Sequence, residues 1–248
     1  MSAQARLLAM IESLSGRGDR QENLIRHGVN YCLQYLQYLS LALIDFGEAN
    51  SQYLAISDRL RADQSARGSG TYQLTPEEQQ LYAASVEAMI LVHYRIETFY
   101  LFAKILLDRI ADTLLVAYGL ERPEFGSSHF ALRKLLTNGR AADWNYAAAL
   151  RGQVEELQAL VDFKTRIFEH RREFRQVRAI SIGEDRQVRV AASGILYPEP
   201  TDQIEALSTE NLQELSGRLE RYVDTVASFI EGNVDRSILL RPSSGKGR

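Results

Sequence analysis

The chain is poor in residues that cross-link or interrupt a fold. A single cysteine, Cys32, among 248 residues excludes an internal disulfide and a zinc site built from several cysteines. Only five prolines occur, and long stretches without proline favour long helices. Charged side chains repeatedly interrupt the most apolar stretch, residues 83–118, so we expect no membrane span. The first residues lack the apolar core of a signal peptide, and we expect a cytoplasmic protein.

Helical periodicity is what the chain has in abundance. Its 45% apolar and 25% charged residues are ordinary for a soluble globular protein. Leu36, Leu39 and Leu43 recur at three- and four-residue steps, which is the period of one helical face. We predict an all-α fold, a bundle of long helices, as a single domain over residues 1–240. Residues 241–248 are predicted to form a disordered tail.

The clearest helix boundary lies before the most apolar stretch. Thr75 is a good N-cap residue, Pro76 suits the first helical position, and Glu78 completes a capping box. We predict that this helix runs to Tyr118 and that Gly119 ends it.

The apolar period changes from about 3.6 to 2 in the last third of the chain. After a helix predicted to end near Arg175, residues 180–182 and 188–190 alternate apolar and polar side chains. Residues 183–185, between them, read Gly-Glu-Asp. The pattern predicts one small β-hairpin over residues 178–191.

Positive charge is concentrated between Lys164 and Arg189, although the whole chain has a net charge of −3. This segment holds eight Lys and Arg residues against four Asp and Glu residues. Arg166 and His170 are four residues apart and would share a helical face. An imidazole can transfer a proton near neutral pH, and a guanidinium can hold a phosphate.

Two interpretations of this segment are open. In one, Arg166 and His170 form a catalytic pair for metal-free chemistry on a phosphodiester. In the other, the segment is an exposed basic helical face with local ion pairs and no activity.

A second candidate site consists of charged residues within the most apolar helix. Arg95, Glu97 and Asp108 either line an internal polar cleft, where buried charge must be paired, or lie on a solvent-facing strip. The histidines have no zinc-ligand spacing, and no phosphate-binding loop occurs within a strand–helix context. We therefore predict no metal and no cofactor.

Three segments carry a family resemblance: TFYLFAKILLDRIADTLLVAYG, then SSHFALRKLL, then DFKTRIFEHRRE. Their order resembles the HEPN superfamily of helical proteins, with a HEPN-like core over residues 75–178. The resemblance implies homodimers and, in active members, metal-independent RNA cleavage. It also implies an Arg and a His near a helix end, with the RNA 2′-hydroxyl attacking the adjacent phosphate.

The resemblance therefore predicts an RNA-acting protein, a metal-independent endoribonuclease of a toxin or phage-defence type. The catalytic residues would be His170, as general acid and base, and Arg166 or Lys164, which would hold the phosphate. The RNA-binding residues would be Arg171, Arg172, Arg175 and Arg178. The alternative is a non-catalytic dimeric helical protein that binds RNA or a protein partner. The expected partners are RNA, a second copy of the chain, and an antitoxin or operon partner.

Overall fold

Helices account for most of the chain that the structure describes, in agreement with the predicted all-α class. The computed structural model describes residues 5–9, 20–67, 74–119, 128–139, 141–157, 175–177, 180–182, 188–190, 194–196, 205–206 and 209–237. The helices are α1 (residues 5–9), α2 (Arg20–Arg67), α3 (Pro76–Ala117), α4 (Ser128–Asn138), α5 (residues 147–157) and α6 (Thr209–Gly232). A short 3-10 helix, Val234–Arg236, follows α6.

Helix α3 begins with the predicted capping box. The backbone N–H of Thr75 donates to Glu78 Oε2 at 2.7 Å, and the backbone N–H of Glu78 donates to Thr75 Oγ1 at 3.3 Å. The helix is continuous for 42 residues. Gly119 then adopts a φ of 61°, a left-handed conformation that suits glycine at a helix end. Both predicted ends are confirmed to within one residue.

Helix α2 is longer than α3. It continues for 48 residues to Arg67, because its last residues, 64–67, contain no proline or glycine. The first glycine after them is Gly68.

Five short strands are described between α5 and α6. They are β1 (Arg175–Val177), β2 (Ile180–Ile182), β3 (Val188–Val190), β4 (Gly194–Leu196) and β5 (Glu205–Ala206). Strand β2 pairs antiparallel with β3, and β4 pairs antiparallel with both β1 and β5. The residues that would form the turn of the predicted hairpin, 183–187, lie outside the described residues, so the hairpin stays a prediction.

The sequence pattern did not predict β1, β4 or β5. Arg175, expected at the end of a helix, lies in β1. Strands of two or three residues are too short to produce a recognisable period of two.

The chain forms two compact units. The first comprises Met1–Leu39, Tyr100–Arg166 and Ser216–Arg248, and the second comprises Ser40–Phe99 and Ile167–Leu215. The predicted single domain over residues 1–240 and the HEPN-like core over residues 75–178 stay predictions. Residues 241–248 lie outside the described residues.

Tight helix packing characterises the first unit. Leu106, Leu150 and Tyr222, from α3, α5 and α6, are completely buried. Gly28 on α2 faces Thr113 on α3 so closely that a Cβ atom at position 28 would stand 2.4 Å from Thr113 Oγ1. Glycine is therefore needed at this crossing because any larger residue would force the helices apart.

In the second unit, Ser40–Phe99 contains the end of α2 and the start of α3, and we call it the helical arm. Its buried side chains follow one helical stripe on each helix: Ala42, Phe46, Ala49 and Tyr53 on α2, and Val92, Ile96 and Phe99 on α3. The residues on the remaining sides of both helices do not belong to these buried stripes.

Candidate functional site

Most of the predicted RNA site lies outside the described residues. This applies to Lys164, Arg166, His170, Arg171, Arg172 and Arg178. For Arg175 the structure describes the backbone, within β1. The catalytic and RNA-binding roles of these residues stay predictions.

The second predicted group, Arg95, Glu97 and Asp108, is divided between the units: Asp108 belongs to the first unit, Arg95 and Glu97 to the second. Arg95 Nη1 contacts Asp45 Oδ2 at 2.9 Å, and both side chains are partly exposed, at 32% and 41%. Glu97 is exposed, although its neighbours exclude enough water to raise its pKa. A polar cleft lined by these residues stays a prediction.

The buried titratable residues of the first unit are held in unreactive forms. His129 Nε2 lies 3.4 Å from the Tyr222 hydroxyl, and both side chains are buried. Burial lowers the pKa of His129 to about 4 and raises the pKa of Tyr222. Near neutral pH the imidazole is therefore neutral and enclosed, which suits packing rather than proton exchange with a substrate.

Cys32 is similarly unsuited to nucleophilic chemistry. It is buried, and loss of solvent raises the pKa of its thiol to about 12, despite a hydrogen bond with Thr113 that acts in the opposite direction. A thiolate is the reactive form of cysteine, and it is scarcely populated here at neutral pH.

A hydrogen-bonded clasp joins the end of α6 to the start of α5. The completely buried amide of Asn233 donates to the carbonyl oxygens of Phe229 and Asn145, at 2.7 and 2.9 Å. It also accepts the backbone N–H of Asn145 at 3.1 Å. Because each polar atom of the amide has a partner, this buried group supports the fold and needs no ligand.

The described residues contain no group of three or more His, Cys, Asp or Glu side chains that could hold a metal ion. Within the same parts of the chain, no helix combines the length and hydropathy needed to cross a bilayer.

The exposed side of the helical arm carries large apolar side chains. Ile44, Ile90 and Tyr94 are 58%, 61% and 56% exposed, and Leu41 and Leu91 are also exposed. These side chains lie on α2 and α3, on the sides opposite the buried stripes. Apolar residues grouped on a surface, rather than scattered, are typical of an interaction site.

Helix geometry brings these side chains together with carboxylates. Positions i, i+3, i+4 and i+7 share one helical face. On α2 they are occupied by Leu41, Ile44, Asp45 and Glu48, and on α3 by Glu87, Ile90, Leu91 and Tyr94, with Glu97 three residues beyond Tyr94. We call these nine residues the arm face.

An ion pair joins the two helices of the arm. Asp45 on α2 binds Arg95 on α3, and the Arg95 guanidinium carbon lies 5.5 Å from the centroid of the Tyr94 ring. The exposed residues of the arm face form one stripe on each helix, on the side opposite the buried stripe of that helix.

The arm face has an excess of negative charge. It contains four carboxylates, Asp45, Glu48, Glu87 and Glu97, and Arg95 is paired with the first of them. An apolar surface bordered by carboxylates repels a phosphate backbone and favours a partner with apolar and basic groups.

The sequence pattern alone did not identify the arm face. Apolar residues occur on both sides of each long helix, so periodicity does not show which side is buried. Its signal was a mixture of apolar and acidic residues at i, i+3, i+4 and i+7, with two of each on α2 and three apolar residues and one carboxylate on α3.

Comparisons of the chain with protein-family models, with curated proteins and with solved structures found no match. The HEPN resemblance therefore stays a prediction.

Proposed function

We propose that this protein is a non-catalytic helical protein that binds a protein partner through the arm face. The observation that carries the proposal is the exposure of Ile90, Leu91 and Tyr94, which share one face of α3. Aromatic residues and arginine are enriched at the centres of protein interfaces, where they contribute much of the binding energy. Tyr94 and Arg95 present both on α3.

The buried chemistry of the first unit supports a binding role over a catalytic one for the described residues. His129, Cys32 and Tyr222 have the residue types of a reactive site, but all three are enclosed and uncharged near neutral pH. The arm face is accessible, and it contains no Ser, Thr, Cys, Lys or His side chain.

Site-specific photo-crosslinking in cells that naturally make the protein tests this proposal. We expect p-benzoylphenylalanine in place of Tyr94 to give an adduct heavier than the 28.1 kDa chain. The matched control replaces Tyr146, which is also 56% exposed but lies in the first unit. An absent adduct at position 94, or equal adducts at both positions, would contradict the proposal.

A second function rests on the sequence between Lys164 and Arg189. We propose that this basic segment acts on RNA, as the HEPN resemblance implies, with His170 transferring a proton and Arg166 or Lys164 holding the phosphate. Eight Lys and Arg residues against four Asp and Glu residues support it. A HEPN-like bundle, the hairpin at residues 178–191, a cytoplasmic homodimer and a neutralising antitoxin belong to the same proposal.

Cleavage of a labelled RNA pool with EDTA present tests the RNA function. We expect Arg171→Ala with Arg172→Ala to weaken binding and reduce its salt dependence, since fewer counterions are released. His170→Ala should slow cleavage by about a hundredfold and leave binding nearly intact. Equal cleavage by wild type and His170→Ala would contradict catalysis, and absence of RNA binding would contradict the whole RNA proposal.

A further inference from the structure

We infer that a strip of aromatic side chains on the first unit binds a short single strand of nucleic acid. The inference goes beyond both proposed functions, because it uses neither the arm face nor the basic segment from Lys164 to Arg189. Six side chains of the first unit form this aromatic strip: His27, Tyr31, Tyr35 and Tyr38 on α2, and Phe102 and Arg109 on α3.

Contacts between α2 and α3 hold the aromatic strip together. Tyr31 lies against Arg109, whose guanidinium carbon is 5.2 Å from the centroid of the tyrosine ring. About two turns further along α2, Tyr38 lies against Phe102 with ring centroids 5.3 Å apart, and Phe102 is about two turns back along α3 from Arg109. Tyr35 also contacts Phe102, with 6.1 Å between the ring centroids. The strip therefore follows the boundary between the two helices.

The rings of the strip are accessible rather than enclosed in the core. Phe102 and the three tyrosines are partly exposed, and His27 is exposed. Tyr35 and Tyr38 meet edge to face, with an interplanar angle of 87°. His27 meets Tyr31 in the same way, at 78°. An edge-to-face contact covers a face of only one ring of the pair, so ring faces remain on which a nucleobase can stack.

The charge of the strip favours an anionic ligand. Arg109 is exposed, and in the parts of the chain that the structure describes its guanidinium contacts the Tyr31 ring and makes no ion pair. Residues 26–38 of α2 contain no Asp or Glu. On α3, Asp108 and Asp112 each precede a residue that faces α2, so they lie about 100° around the helix from that side. A guanidinium on a tyrosine ring can still donate to a phosphate, so Arg109 can hold the backbone beside a stacked base.

These features specify a single strand rather than a duplex. Duplex bases stack on one another, whereas the bases of a single strand can turn outward onto aromatic side chains. From Tyr31 to Tyr38 the helix rises by about 10 Å, which accommodates roughly two or three bases. The strip contacts ring faces and phosphates, which RNA and DNA share.

Fluorescence anisotropy with labelled oligonucleotides tests the inference. The probes are oligo(dT) and oligo(U) of about 12 nucleotides and a DNA duplex of the same length. We expect the full-length protein to bind both single strands at least about tenfold more tightly than the duplex. Equal binding of the duplex, or binding of oligo(U) without oligo(dT), would overturn the inference.

Two double variants separate ring stacking from helix packing. Tyr31→Leu with Tyr35→Leu keeps apolar side chains at the helix boundary but removes two stacking surfaces, and should weaken oligo(dT) binding by about tenfold or more. The matched control, Tyr31→Phe with Tyr35→Phe, keeps the rings and should change the affinity by less than about threefold. Unchanged binding by a folded leucine variant, or an equal loss in the phenylalanine variant, would overturn stacking on these rings.

Arg109→Gln tests the phosphate contact at an exposed position, independently of the packing of the tyrosines. We expect an affinity for oligo(dT) that is about fivefold lower, with a smaller salt dependence, because fewer counterions are released. The matched control, Arg221→Gln, makes the same charge change at another exposed position of the first unit and should alter affinity by less than about twofold. Equal losses in the two variants would overturn a local phosphate contact.

Photo-crosslinking locates the bound strand and distinguishes this inference from the proposed functions. Oligo(dT) that carries 4-thiothymidine should crosslink to peptides from residues 27–38 or 102–109. Crosslinks confined to residues 164–189 would overturn the aromatic strip and leave the RNA function of the basic segment standing. A protein that does not bind oligo(dT), and whose dimer the leucine variant dissociates, would assign the strip to a second copy and overturn the inference without affecting the arm face.

Discussion

Two tyrosines show how differently the first unit and the helical arm use similar side chains. Tyr222 is completely buried beside His129, whereas Tyr94 has 56% of its surface exposed beside Arg95. The first unit encloses polar groups such as the amide of Asn233, which is satisfied internally. The arm leaves apolar and charged groups accessible. We infer that the core of the first unit provides stability and that the arm face provides binding to a protein partner.

The largest difference in folding stability should be between truncations of these two tyrosines. Tyr222→Ala removes a fully buried aromatic ring and should lower the free energy of unfolding by about 3–5 kcal/mol. Tyr94→Ala should change it by less than about 1 kcal/mol, because the ring is mostly in water already. Urea denaturation of both variants measures the difference, and equal losses would remove the distinction between the two regions.

The next largest effect is expected from pH. The pKa of His129 is about 4 in the folded chain against an ordinary value of 6.5, so the unfolded chain binds more protons between these values. The free energy of unfolding should therefore be unaffected by this group above pH 6.5. It should fall by about 3 kcal/mol as the pH decreases from 6.5 to 4.

His129→Gln isolates this contribution from the carboxylates that titrate over the same range. Relative to wild type, the variant should lose less stability between pH 6.5 and 4. The matched control is His27→Gln, at an exposed position on α2, which should retain the full pH dependence. A wild-type pH profile in both variants would show that His129 is accessible to protons in the folded state.

Two glycine substitutions in α2 should change the free energy of unfolding in opposite directions. Gly28→Ala places a Cβ atom 2.4 Å from Thr113 Oγ1 and should cost roughly 1–3 kcal/mol through overpacking. Gly47→Ala meets nothing within 4 Å and should stabilise the chain by about 0.5–1 kcal/mol through helix propensity. Thermal unfolding of the two variants checks the signs, and two shifts in the same direction would contradict the packing difference.

Sequence patterns predicted where α3 begins and ends better than they predicted which of its sides is buried. Thr75, Glu78 and Gly119 act on neighbouring backbone atoms, so their roles are visible in local sequence. Ile90 matches the apolar period of α3 as well as a buried residue does, yet it is exposed. Periodicity identifies an apolar face, but which face is covered depends on tertiary packing.

The same limit applies to the contacts of the first unit. His129 and Tyr222 are 93 residues apart in sequence, and nothing near either residue indicates the other. Asp45 and Arg95 are likewise joined only by the packing of α2 against α3. The basic segment from Lys164 to Arg189 was conspicuous because net charge is additive along a sequence, whereas its predicted catalytic residues lie outside the described residues.

The smallest effect on folding is expected at the ion pair of the arm. Asp45→Asn should lower the free energy of unfolding by less than about 1 kcal/mol, because both partners are partly exposed and screened by solvent. Adding salt should reduce even this difference. Chemical denaturation at low and high salt measures it, and a loss of several kcal/mol would show that the pair supports the fold.

Photo-crosslinking from position 94 in cells, combined with Ile90→Ser and Leu91→Ser, tests the central claim most directly. The account predicts an adduct from position 94 that disappears when Ile90 and Leu91 are changed, while the free energy of unfolding in urea stays within about 0.5 kcal/mol of wild type. An adduct that survives both substitutions, or one that is lost only because the variant unfolds, would contradict a binding role for the exposed apolar side chains of the arm.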